Sequence, residues 1–127
     1  MIVAELKKLT STDVSLETFR PQGPFGVYVL AMVGPAGEPG EESFGITVCT
    51  SEWFEQSMKD PVVSGRHHLF VKEYNFEELK SYLSKYCRTC MGDSWAEVAE
   101  KVACIGNWEF EDYRSFVRSV PGGSGTR

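Results

Sequence analysis

The chain has 127 residues, of which 42% are hydrophobic and 24% charged, so it is long enough for one globular core and too apolar for a disordered or fibrous protein. Its formal net charge of -5 and the absence of a Lys/Arg cluster argue against direct binding of nucleic acid. No apolar run reaches the roughly 20 residues that cross a bilayer, and residues 1–9 are too short and too charged for a secretory signal, so we expect a cytoplasmic protein without membrane contact.

The first half of the chain predicts three strands. The loose alternation of Ile2–Leu9 predicts the first, and a polar, irregular connection follows over Thr10–Gly23. Phe25–Val33 is apolar at nearly every position, which is typical of a central strand buried on both faces. The Pro- and Gly-rich stretch Gly34–Gly40 predicts an antiparallel hairpin with the strand Phe44–Cys49. The apolar residues on one face of this third strand are Phe44, Ile46 and Val48.

The segment from Pro21 to Met58 carries the whole net charge. It contains five glutamates and no Lys or Arg, whereas the rest of the chain has thirteen acidic and thirteen basic residues. The glutamates are Glu38, Glu41, Glu42, Glu52 and Glu55. We expect a local negative field that attracts a basic protein partner.

Helix signals dominate the second half. Ser51 is the predicted N-cap of a short helix anchored by Trp53 and Phe54. The pattern then predicts a loop over Asp60–Arg66 and a strand over His67–Tyr74. Two helices follow, with N-caps predicted at Asn75 and Ser94 and the turn Met91–Asp93 between them.

The end of the chain predicts a short strand or extended segment over Trp108–Phe110, and then a helix from Asp112. Residues 121–127 read PGGSGTR and predict a flexible tail. We therefore expect a single α+β domain over residues 1–120, with one antiparallel-rich sheet of about four to five strands packed with two to four helices.

The cysteines and histidines offer little chemistry. Cys87 and Cys90 form a CxxC motif, but they continue the apolar stripe of the preceding helix, and no second motif completes a zinc site. We predict neither a metal nor a cofactor. His67 and His68 are adjacent, so a strand would point one at the core and the other at solvent. Cys49 could act as a nucleophile with either histidine, although no third, orienting group stands at a recognisable spacing.

Aromatic residues repeatedly stand beside carboxylates. Such pairs occur around Trp53 and Trp95 and throughout the segment Trp108–Tyr113, which reads WEFEDY. This composition suits a protein interface, where aromatics supply buried area and carboxylates meet a basic partner. Core aromatics flanked by an ordinary charged surface would give the same pattern.

Several of these stretches together resemble the immunity protein 8 family of bacterial polymorphic toxin systems. They are GPAGEPGEESF, VCTSEWF, the strand His68–Tyr74, the helix Asp93–Ala99 and WEFEDY, in the expected order from about Phe25 to Arg114. The resemblance implies a small cytoplasmic protein, encoded beside a toxin, that protects the producing cell by binding the toxin's C-terminal domain. The cysteines are not part of the family's pattern.

On this basis we expect a protein without enzymatic activity that neutralises its toxin by contact, and a nuclease suits an acidic inhibitor. The predicted partner-binding residues are Glu38, Glu41, Glu42, Trp53, Glu109, Glu111 and Asp112. The predicted structural residues are Gly40, Phe44, Trp95, Trp108, Phe110 and Tyr113. A purely architectural role for the motif, a small hydrolase using Cys49, and an adaptor domain without a toxin remain as alternatives, and the sequence does not predict an oligomeric state.

Overall fold

The computed structural model describes residues 1–109, which form one mixed sheet and three helices. The strands are β1 (Ile2–Thr10), β2 (Gly26–Pro35), β3 (Glu42–Cys49), β4 (His68–Phe70), β5 (Met91–Gly92) and β6 (Asn107–Trp108). The helices are α1 (Ser51–Ser57), α2 (Phe76–Arg88) and α3 (Trp95–Val102). The predicted α+β class is confirmed. Predictions for Phe110 onward, including the last helix and the tail, lie outside the described residues.

The sheet is organised around the hairpin of β2 and β3. Its strand order is β4-β3-β2-β1-β5, and β6 pairs with β3 beside this path. The hairpin register runs from Val33 opposite Glu42 to Gly26 opposite Cys49, which confirms the predicted antiparallel pair. All pairs are antiparallel except that of β3 with β4.

The core lies on one face of this sheet. The side chains of Phe44, Ile46 and Val48 are at most 1% exposed, which confirms that they share a buried face. Helices α2 and α3 cover it, because each presents one apolar stripe to the sheet. The buried residues of these stripes are Leu79, Leu83, Cys87, Val98, Ala99 and Val102.

The other face of β2 is only partly covered, so the prediction that this strand is buried on both faces is wrong. Tyr28 is 38% exposed, because α2 and α3 both pack on the opposite side. Of the three described helices, α1 is the one that lies against this second face, near the start of β2. There the ring of Trp53 fills the place of a side chain at Gly26, 2.3 Å from an ideal Cβ.

Three local predictions are also wrong. The N-cap of α1 is Thr50 rather than Ser51, because the Thr50 hydroxyl accepts from the backbone N–H of both Trp53 and Phe25. Strand β4 has three residues rather than eight, since its partner β3 ends at Cys49. The predicted turn after α2 instead contains β5, which pairs with the beginning of β1.

The N-caps of the two longer helices are as predicted. The side chain of Asn75 accepts from the N–H of Glu78, and that of Ser94 accepts from the N–H of Glu97. Each bond satisfies one of the donors left free in a first helical turn. In the described part of the chain, none of the helices is both long and apolar enough to cross a bilayer.

Candidate functional site

The turn of the β2–β3 hairpin depends on its glycines. Gly37 and Gly40 have positive φ angles of 76° and 106°, which glycine adopts without strain. At Gly34 an ideal Cβ would lie 2.0 Å from the carbonyl oxygen of Gly40, so the two arms of the turn approach too closely for a side chain. The turn is also tied to β1, because Lys7 Nζ donates to the carbonyl oxygen of Glu38 over 2.7 Å.

Directly after this turn, the carboxylate of Glu42 accepts hydrogen bonds from two tryptophans. Its Oε1 atom lies 2.9 Å from Nε1 of Trp95 and 2.8 Å from Nε1 of Trp108. Glu42 is half-buried. An indole N–H inside a protein needs an acceptor, and a bond to a charged acceptor is stronger than one to a neutral group. One oxygen atom therefore connects β3, α3 and β6.

The residues next to Trp95 fix the start of α3 and so the position of the Trp95 indole. Trp95 is the first residue of α3, directly after the N-cap Ser94. The Oε1 atom of Glu97 accepts from the N–H of Asp93 over 3.0 Å, which fixes the chain entering the helix. An ideal Cβ at Gly92 would lie 2.8 Å from the Glu97 carboxylate carbon, so glycine leaves room for this side chain.

Trp108 is fixed by packing. It pairs with Phe44 in the β3–β6 ladder, and the two rings stack with centroids 6.1 Å apart and planes at 16°. Only 2% of Trp108 is exposed. Of the predicted structural residues, Gly40, Phe44, Trp95 and Trp108 thus lie together at one end of the hairpin.

Four predicted partner-binding glutamates gather at the same place, which we call the acidic end: Glu38, Glu41, Glu42 and Glu109. Glu38, Glu41 and Glu109 are exposed. Glu109 also accepts a hydrogen bond from the hydroxyl of Ser43 over 2.9 Å, so β6 holds its carboxylate beside β3. Exposed carboxylates can meet a partner directly, whereas the carboxylate of Glu42 is engaged inside the protein.

Other predicted site residues are not at the acidic end. Trp53 lies beside Gly26, at the opposite end of the hairpin, where α1 also carries Glu52 and Glu55. Since a strand advances about 3.4 Å per residue, roughly 24 Å of β3 separate the two ends. The acidic segment is therefore divided between two places. Glu111 and Asp112, like Phe110 and Tyr113, lie outside the described residues.

The hydrogen bonds of Glu42 were not predicted, although the sequence contains a signal for them. Glu42 shares the parity of Phe44, Ile46 and Val48, so its side chain leaves the strand on the core face. A carboxylate on that face needs hydrogen-bond donors, and tryptophan N–H groups can supply them. Which tryptophans do so could not be read from spacing, because they lie 53 and 66 residues later in the chain.

Three of the four thiols, those of Cys49, Cys87 and Cys90, are buried. Cys49 is fully buried, and this burial raises the pKa of its thiol. Burial also raises the pKa of Cys87 to about 12, and Cys87 and Cys90 pack in the core as predicted. A nucleophilic cysteine needs the opposite shift, toward the thiolate. Among residues 1–109 no group of His, Cys, Asp and Glu side chains is arranged to hold a metal ion.

The histidines have structural partners. His67 has a φ of 63° and precedes β4, and its Nε2–H donates to the carbonyl oxygen of Ala103 over 3.0 Å. His68 packs edge-on against Phe54, with ring centroids 4.9 Å apart. Both are half-buried, so the prediction that one histidine points to solvent is wrong. The left-handed turn takes His67 out of the strand, and Phe54 of α1 packs against the face on which His68 lies.

Among known protein families, the one described as Immunity protein 8 matches residues 4–113 of the chain. No curated protein and no solved structure shows significant similarity to this chain. The match includes the acidic end and the residues that support it.

Proposed function

The chain belongs to the immunity protein 8 family, and from this premise we propose that it binds and neutralises the C-terminal domain of a cognate polymorphic toxin. The family match carries this proposal, because it spans residues 4–113 and so concerns the whole domain rather than a short motif. The protein acts by contact in the cytoplasm of the producing cell, without a cofactor or nucleic acid. Its action is not enzymatic, which agrees with the burial of Cys49.

The acidic end is the surface that we propose for the toxin. Its exposed carboxylates belong to Glu38, Glu41 and Glu109. Lys7 reaches the same turn, but its ammonium group already contacts the backbone oxygen of Glu38 and lies 3.4 Å from Glu5. A cationic partner would therefore meet a predominantly negative surface. Glu111 and Asp112 lie outside the described residues and are proposed as further partner-binding carboxylates from the sequence alone.

Glu42 has a positioning role in this proposal. Its two indole bonds hold the start of β3 against α3 and β6, so the neighbouring carboxylates of Glu41 and Glu109 project from a fixed base. A fixed surface loses little conformational freedom on binding, which favours affinity. Trp53 would take part only with a toxin domain that also reaches the far end of the hairpin.

A nuclease is the toxin class that best fits this surface. A domain that binds nucleic acid presents cationic side chains to phosphates, and the same side chains can meet the carboxylates of an inhibitor. Complementary charge accelerates encounter, while buried contacts slow dissociation. The acidic end would thus compete with the nucleic-acid substrate.

The test is binding to the toxin domain encoded beside the gene, measured by stopped-flow association at low and high salt. We expect Glu41→Lys to lower the association rate roughly tenfold at low salt, with the difference shrinking at high salt. Glu55→Lys is the matched control, because Glu55 is an exposed glutamate of the same lysine-free segment at the opposite end of the hairpin. Failure of the wild-type protein to bind would overturn the proposed function, and equal effects of the two variants would overturn the assignment of the surface.

A further inference from the structure

Within residues 1–109, one edge of strand β4 pairs with no other strand; we call it the free edge. Among the described strands β4 pairs only with β3, through bonds such as that from the N–H of Thr47 to the carbonyl oxygen of His67 and that from the N–H of Val71 to the carbonyl oxygen of Cys49. In a parallel ladder alternate residues of a strand face the neighbour. His67 and Val71 face β3 through these bonds and Leu69 shares their alternation, so the N–H and C=O groups of His68 and Phe70 point away from β3. The N–H of His68 already donates to the carbonyl oxygen of Gly65, which leaves Phe70 as the residue that directs both backbone groups to the edge. Such an edge is a template for another extended chain.

A pocket of about 260 Å³ opens beside this edge, between β4 and α2. Small-molecule sites usually have roughly 300–1,000 Å³, so this pocket suits one inserted side chain better than a ligand. Its lining consists of Leu69, Phe70, Val71, Glu73, Asn75, Glu78, Leu79 and Tyr82. The walls are mainly apolar, and among the described residues that line the pocket the charged groups are carboxylates.

The carboxylates of Glu73 and Glu78 determine what the pocket can accept. Both residues are exposed, and within residues 1–109 neither carboxylate forms an ion pair. A long cationic side chain satisfies both features of the pocket, since its aliphatic stem can lie along apolar walls while its charged head meets carboxylates. Lysine and arginine are the side chains with this structure.

Apolar surface next to the edge supports a protein partner. Phe70 and Tyr82 are 48% and 53% exposed, and both line the pocket. The ring of Phe70 lies 4.0 Å from an ideal Cβ at Gly65, close to the loop that carries the exposed Val62 and Val63. Aromatic side chains that remain exposed on a monomer supply much of the binding energy when a partner covers them.

We propose that the β4 edge receives an extended, basic segment of the toxin as an added strand. Alternate side chains of that segment point to opposite faces, so a lysine or arginine enters the pocket while its neighbours cover Phe70. The inference rests on the proposed function, because it names a second contact with the same partner. It does not depend on the acidic end being the first contact.

The experiment compares Glu78→Lys with Glu77→Lys in binding to the toxin domain encoded beside the gene. Both glutamates are exposed in the first turn of α2, so the two variants change the charge and disturb the helix terminus equally. Only Glu78 lines the pocket. We expect Glu78→Lys to raise Kd roughly tenfold or more and Glu77→Lys to change it less than threefold.

Hydrogen exchange of the complex then separates strand addition from simple charge attraction. We expect amide exchange over residues 68–71 to slow on binding, chiefly at Phe70, whose N–H points away from β3 and would donate to the added strand. Equal effects of the two lysine variants, or unchanged exchange over these residues, would overturn the inference while leaving the proposed function in place. Absence of any binding by the wild-type protein would overturn both.

Discussion

Replacement of Glu42 by leucine tests the central contact of the acidic end. The substitution keeps a side chain of similar size on the core face but removes the acceptor shared by the N–H groups of Trp95 and Trp108. Trp108 is 2% exposed, so water cannot readily replace the lost bond there. Trp95 is half-buried, and water can partly compensate for its loss.

The expected cost follows from these two environments. A buried donor without an acceptor costs about 1–3 kcal/mol, and Trp108 should approach the upper part of this range. Trp95 adds less, while removal of the half-buried charge of Glu42 offsets part of the loss. We expect a decrease in the free energy of unfolding of about 2–3 kcal/mol, a large share of the roughly 5–15 kcal/mol typical of a domain.

Urea unfolding followed by tryptophan fluorescence measures this loss. The midpoint should fall by roughly 1–2 M with an unchanged slope, since m is about 1–3 kcal/mol per M for small proteins. Glu41→Leu is the matched control, because Glu41 is adjacent but exposed, and its replacement should change stability by no more than about 0.5 kcal/mol. Similar losses in the two variants would refute the shared hydrogen bonds as a source of stability.

Two further predictions concern the turn and the buried thiol. Gly34→Ala should cost about 1–3 kcal/mol in urea unfolding, because its Cβ would meet the backbone oxygen of Gly40 at 2.0 Å. Gly65→Ala is the control and should be tolerated, since among the described residues only the Phe70 ring lies near its Cβ, at 4.0 Å. Equal costs of the two variants would contradict the close approach at Gly34. Burial raises the pKa of Cys87 from 9.0 to about 12. Between these two pH values the thiol is deprotonated in the unfolded state but still protonated in the folded state. The stabilising contribution of the thiol is therefore fully present below pH 9 and is lost as the pH rises toward 12. Cys87→Ala should therefore flatten the fall in unfolding free energy over this range by up to about 1.4 kcal/mol per pH unit, and a slope as steep as that of the wild type would contradict a buried neutral thiol.

Local signals in the sequence were sufficient for several elements. The caps at Asn75 and Ser94 could be predicted because the cap and the N–H it accepts from are only three residues apart. The shared face of Phe44, Ile46 and Val48 followed from the two-residue period of a strand. The cap of α1 was misplaced by one residue, because Thr50 and Ser51 are adjacent hydroxyl residues and the bond from Phe25 that also engages Thr50 comes from 25 residues earlier in the chain.

The ends of β4 and the partner of β5 could not be predicted. The length of β4 is limited by the end of β3, and β5 is a strand because its two residues meet the start of β1. These limits depend on which segments become neighbours in the sheet. The free edge of β4 and the pocket beside it consequently had no signal in the sequence.

The sequence by itself determined the α+β class, the hairpin, the helix caps and the resemblance to an immunity family, because each depends on short-range periodicity or on the order of motifs. Only the tertiary structure decided what the glutamates do. It placed Glu38, Glu41 and Glu109 in solvent at one end of the hairpin and moved Glu52 and Glu55 to the other. It also gave Glu42 two indole donors. Trp95 and Trp108 are 53 and 66 positions away from Glu42 in the chain, so these hydrogen bonds exist only once the sheet and α3 have packed together.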